Sequence, residues 1–297
     1  MKKNMRYNRF YIIAALAMTL VACTPNVKTR QLTKVLKEVS EQVRGNESQA
    51  KANAAPADSV FMDGSLAPAA VKGDQLLQRL GYISCYNPTT HQPDWVYWQL
   101  TPDRLEGDAS RQGVEFAEDD DVAEPRVTTY DYMRSGYDRG HQCPAADNRW
   151  SQEAMNQSFL LTNICPQSPK LNKYEWNRLE SQCRDWANEY GSVYIVCGPL
   201  FSASSHKRIG QSVKIPVPSA FFKVILVLGN SPKAIGFVYQ NIDDKQDYRK
   251  CVTTVDAIEQ ATGYDFFPGL KDDIEKRVES SADIDQWSQD RLDSGSK

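Results

Sequence analysis

A chain of 297 residues that is 41% hydrophobic and 10% aromatic can bury a sizeable core, and it fits one large domain with appendages better than two small ones. A formal net charge of −3 excludes a broadly basic surface, so any footprint for polyanions must be local. Three histidines and no Cys-x-x-Cys argue against a structural zinc site.

Lys2, Lys3, Arg6 and Arg9 precede the apolar run from Tyr11 to Ala22, the layout of a secretory signal and too short for a comfortable membrane span. The run ends Leu20-Val21-Ala22-Cys23, which resembles a bacterial lipoprotein cleavage box with Cys23 as the lipidated residue. The expected address is export, with a lipid anchor facing the periplasm or the cell surface. Removing residues 1–22, with their four basic residues, shifts the formal charge from −3 to −7. In that compartment Cys85, Cys143, Cys165, Cys183, Cys197 and Cys251 are expected to form disulfides, in a pairing the sequence does not specify.

Residues 23–75 read as a tether. A short amphipathic helix over Gln31–Arg44 is followed by an Ala-, Ser-, Pro- and Gly-rich stretch that cannot bury enough surface to fold. The domain is expected over 76–270. Tyr82–Tyr86 and Trp95–Leu100 form a hairpin around Asn87-Pro88-Thr89-Thr90, and Asp119-Asp120-Asp121 lies in a solvated loop. Ser151 caps a short helix, and Ser158–Ile164 reads as a buried strand. From Asn172 to Glu189 a helix carries Trp176, Leu179, Cys183 and Trp186 on one stripe. Strands follow over Ser192–Val196, Val213–Val217, Phe221–Leu228 and Ala234–Tyr239, then a helix over Val252–Ala261. Residues 271–297 read as a frayed tail. With many strands and no βαβ alternation, the class is α+β.

Two dense stretches carry the chemistry. In the first, His141 follows Asp138-Arg139-Gly140 and precedes Pro144-Ala145-Ala146-Asp147; its intrinsic pKa suits deprotonating a water. In the second, Asn172 offers a neutral carbonyl oxygen to a hard cation such as Mg²⁺, and Glu180 could hold the cation's waters. Arg139 and Arg184 could fork onto a phosphate. Singly, each has a duller reading: Asn172 as a helix cap, Glu180 with Arg184 as a surface pair.

Together with Thr162-Asn163-Ile164, Pro166-Gln167, Leu171-Asn172, Trp176, Leu179-Glu180 and Arg184, these motifs resemble the DNA/RNA non-specific endonucleases of the ββα-metal class. The resemblance implies a central antiparallel sheet flanked by helices and Mg²⁺-dependent hydrolysis of DNA and RNA, with Mn²⁺ able to substitute and 5′-phosphate products. It implies His141 as general base, Asn172 as direct Mg²⁺ ligand and Glu180 in the water shell. Arg139 and Arg184 fall on the phosphate side with Gln167, and Asp138 and Asn163 stand behind as supports. A further arginine upstream of His141 is implied, for which Arg104, Arg111 and Arg126 are candidates. Nothing calls for an obligate protein partner; the rival reading is a silent binding or structural surface lipoprotein on the same fold.

Overall fold

A computed structural model describes residues 34–38, 64–202 and 207–294. The signal-like run, Cys23 and most of the expected tether lie outside the described residues. Among the described residues no helix is long and apolar enough to cross a membrane.

Strands β1 (Gln75–Gln78), β2 (Ile83–Asn87) and β3 (Gln92–Leu100) form a meander. The ribbon of β4 (Asp138–His141) and β5 (Ile164–Gln167) stands apart from the main sheet, as does the small pair β7 (Arg208–Ile209) and β8 (Ile215–Pro216). With β6 (Val193–Leu200), β9 (Ala220–Val227), β10 (Lys233–Gln240) and β11 (Val252–Thr253), the main sheet has seven strands in the order β1-β2-β3-β6-β9-β10-β11, antiparallel throughout.

Four helices matter to the argument: α1 (Gln152–Ser158), α2 (Asn177–Tyr190), α3 (Val255–Thr262) and α4 (Asp272–Glu279). Ser151 caps α1 by accepting from the Ala154 N–H, and α2 stops at Gly191, whose φ of 78° suits a residue without a Cβ. Strand alternation divides the core in two. On β9, Phe221, Ile225 and Val227 meet Leu179, Cys183 and Trp186 of α2, while Ala220, Phe222, Val224 and Leu226 meet Val255, Ile258 and Ala261 of α3 and Val278 of α4. Each large side chain so buried contributes about 1.5–3 kcal/mol.

Several expectations change. The buried strand expected over Ser158–Ile164 is a helix end and a 3₁₀ turn, and β5 starts only at Ile164. The cause is Asn163, whose amide donates to the carbonyls of Ser158 and Cys143 and whose Oδ1 accepts from the Cys143 N–H, replacing ladder bonds with side-chain bonds. The Val213–Val217 strand shortens to Ile215–Pro216, and Val252–Thr253 pairs with β10 before α3 begins. The acidic loop is not wholly solvated: Asp119 is buried, accepting from Arg79 and Thr162, and Arg79 also bridges to Asp121.

The folded part is longer than expected at both ends. Leu66 is buried, and Val35 and Leu36 of the helical residues 34–38 pack on the α3 side of the sheet. The supposed C-terminal tail folds back on α2. Ile284, Trp287 and Leu292 are buried, the Trp186 and Trp287 rings lie 4.7 Å apart, and Trp186 Nε1 donates to the Ser288 carbonyl at 2.8 Å.

The expected disulfides are absent among the described residues. All six cysteines are unbonded and buried. Cys183 lies on the α2 stripe and Cys197 on the facing side of β6, whereas Cys85 packs on the opposite face of the sheet. They serve as small apolar side chains rather than as a framework. Burial pushes the thiols of Cys183 and Cys197 up to about 12, which leaves little thiolate to react. Protein denatured without reductant should therefore label at all six positions, and a shortfall of two or more would show a bridge.

Candidate active site

The β4–β5 ribbon and the helix after it build the site. Asp138 pairs with Gln167, Arg139 with Pro166, Gly140 with Cys165 and His141 with Ile164. Gly140 is required here, because a Cβ would come within 2.3 Å of Gln167 Oε1. Past Ser168 the chain turns through a π-wound segment, Leu171–Trp176, before continuing as α2. The wider winding offsets the helical phase, so that Asn172 and Glu180, eight positions apart, face the same space.

That space is a cavity of about 690 Å³ lined by Arg111, Arg139, His141, Asn172, Glu180 and Arg184, with Phe116, Tyr137, Asp138 and Lys173 among its other walls. It gathers four cationic side chains against two carboxylates on a chain of net negative charge. The local basic footprint that phosphate binding requires is therefore present.

The His141 ring sits between Phe116 (5.3 Å between centroids) and Phe159 (4.9 Å, edge-on). Its Nε2 is buried without a hydrogen-bond partner, which leaves Nδ1 as the nitrogen open to the cavity. Burial, with the Arg111 charge adding to it, pushes the imidazole pKa down to about 3, so the ring is neutral across the physiological range. Arg139 lies 4.6 Å over the Phe116 ring, which holds its guanidinium at the cavity wall.

Asn172 Nδ2 donates to Asp138 Oδ2 at 2.9 Å. That bond fixes the amide and leaves Oδ1, an uncharged hard donor, uncommitted; one carbonyl oxygen with the Glu180 carboxylate nearby fits an ion that keeps most of its waters. Burial raises the Glu180 carboxyl to about 7, against the pull of Lys223 and Arg184 toward the ionised form. Lys223, on β9, is fully buried, its Nζ 4.5 Å from the Trp176 ring and 5.0 Å from that of Trp98. Buried Asp147 accepts from Arg184 Nη1 and from Trp98 Nε1, both at 3.0 Å, and Arg184 Nη2 donates to Ser181 Oγ. Arg184 is thus aimed by its neighbours, with part of the fork left toward the cavity.

His141, Arg139, Asn172, Glu180, Arg184 and Asp138 all line this one cavity. Gln167 does not meet the expectation of a substrate contact: it is wholly buried beneath Gly140 and lines no part of the cavity. Asn163 is buried too, and ties the His141 loop to β5 through the bonds described above. Among the three upstream arginines only Arg111 reaches the cavity. Arg104 is spent on the carbonyls of Gln99 and Gly81 and on Asn148, and Arg126 on Asp120. Sequence reasoning gave no role to Asp147 or Lys223. Asp147 closes the Pro144-Ala145-Ala146-Asp147 motif and is legible there; Lys223 stands in an apolar strand, where its charge is the only signal.

The family of DNA/RNA non-specific endonucleases matches residues 67–273. The mitochondrial endonuclease G of Homo sapiens is 39% identical over 210 residues, covering 66% of this chain and 70% of that protein. A nuclease of Nostoc sp. is 31% identical over 288 residues, covering 91% and 97%. In fold, the chain is similar to a crystal structure of the EndoG/EndoGI complex, with a TM-score of 0.62 and 24% identity over 84% of this chain and 95% of that one.

Proposed function

Because this chain belongs to the DNA/RNA non-specific endonuclease family, it is a nuclease, and we propose that it hydrolyses DNA and RNA alike in the cavity around His141, using Mg²⁺. The observation that carries this reading is the convergence of a neutral, partly buried histidine, an oriented asparagine oxygen, a carboxylate and three arginines on one cavity.

His141 Nδ1 accepts a proton from the attacking water. The low pKa belongs to the free enzyme; a bound phosphate offsets the Arg111 charge and raises the ring's basicity as substrate arrives. Asn172 Oδ1 would hold the cation, with Glu180 hydrogen-bonding its waters. Mg²⁺, or Mn²⁺ in its place, would polarise water and neutralise phosphate charge. Arg139 and Arg184 take the non-bridging phosphate oxygens, and Arg111, over the Phe159 ring that packs on His141, adds positive charge beside the base. None of these groups addresses a base or a 2′-hydroxyl, so sequence preference is weak and both nucleic acids are cut.

Matched DNA and RNA strands with Mg²⁺ and with chelator test the reading. Cleavage of both is expected, lost with chelator and weakened as salt rises. Cutting confined to RNA, or undiminished by chelator, would refute it.

A further inference from the structure

On the face of the sheet away from α2, three carboxylates meet between α3 and α4. Asp256 and Glu259 lie one turn apart on α3, and Glu279 is the last residue of α4. One carboxylate oxygen from each lies within 4.8 Å of the others. Two oxygens each about 2.4 Å from a common calcium ion can be at most about 4.8 Å apart, so the triangle is small enough for one such ion to span.

Acidic clusters are common on surfaces, but Glu279 is not on the surface. It is only 2% exposed, and its Oε1 has no hydrogen-bond partner among the described residues. A buried, unmatched carboxylate oxygen is costly unless a proton or a cation satisfies it. The charged groups acting most strongly on it are Glu259, Glu275, Asp256 and Asp265, all carboxylates. Glu259 accepts from the Phe266 N–H at 2.7 Å, which fixes it in place, and exposed Asp256 leaves one side open to water.

We propose that Asp256, Glu259 and Glu279 form a binding site for a hard divalent cation of the calcium type, which clamps α4 to α3 and is distinct from the catalytic cavity. The chemistry favours calcium over magnesium: six to eight oxygens at flexible angles can be completed from three carboxylates and water, whereas magnesium demands a near-ideal octahedron. Val255, Ile258 and Val278, the apolar neighbours of these carboxylates, pack on the sheet face opposite α2, so the ion would act on stability and not on turnover. Without a cation, burial and the neighbouring carboxylates push the Glu279 carboxyl up to about 9 and that of Glu259 to about 7; ion binding would displace those protons.

The test is thermal unfolding of the full chain in calcium against chelator, for the wild type, Asn172→Ala, Glu279→Gln and Asp256→Asn. Calcium is expected to raise Tm by roughly 3–8 °C in the wild type and in Asn172→Ala alike, since a ligand that binds only the folded state stabilises it. The rise should vanish in Glu279→Gln and shrink by at least about half in Asp256→Asn, with nuclease activity in magnesium within about twofold of wild type in both. Should Glu279→Gln fail to fold, the exposed Asp256→Asn decides alone. An equal calcium response in the variants would overturn the site. So would a wild type that ignores calcium and gains stability only as pH falls, which would mean that the cluster is satisfied by shared protons.

Discussion

Replacing His141 with alanine is expected to lower turnover by about two to four orders of magnitude, the range for losing a positioned general base, with the protein still folded. The expectation of a folded variant comes from the ring's surroundings. Phe116 and Phe159 already touch each other, with centroids 5.0 Å apart, and the buried Nε2 has no bond to lose. His141→Gln, which keeps bulk without the base, should be equally slow. Cleavage within about tenfold of wild type in either folded variant would assign the proton to another group.

Asn172→Ala should raise the Mg²⁺ concentration for half-maximal activity by about tenfold or more and also slow turnover at saturating metal, because the change removes the amide oxygen that the bond to Asp138 holds ready for an ion. Asp138→Asn supplies the control. Asp138 accepts from Asn172 Nδ2, and an asparagine oxygen can still accept there, so this change should raise the metal requirement less than removing the ligand itself. A metal titration in Asn172→Ala that matches the wild type would move the ligand role to another side chain.

How far these features were legible in the sequence depended on whether their cause was local. The β2–β3 hairpin could be read because aromatic and β-branched runs flank a turn-forming Asn-Pro, and α2 because Leu179, Cys183 and Trp186 repeat at helical spacing. The site residues could be read because they lie in two dense stretches whose order and spacing resemble a known family. The C-terminal segment could not: Ile284, Trp287 and Leu292 fall in single turns with no repeating face, and their burial depends on Trp186 being nearby in space. The choice among Arg104, Arg111 and Arg126 was likewise tertiary, decided by which guanidinium was consumed by carbonyls and carboxylates. The cysteines mislead because an even number and an exported address say nothing of their place on core faces, where Cys183 and Cys197 behave as apolar side chains.

In the proposed reaction one cavity directs water, not a ribose hydroxyl, at the phosphate of either nucleic acid. Its most direct test is cleavage of matched DNA and RNA strands in ¹⁸O-enriched water with Mg²⁺, followed by mass spectrometry of the ends. One ¹⁸O is expected in the 5′-phosphate of both products and none in the 3′-hydroxyl. A 2′,3′-cyclic phosphate from RNA, with DNA left intact, would contradict it.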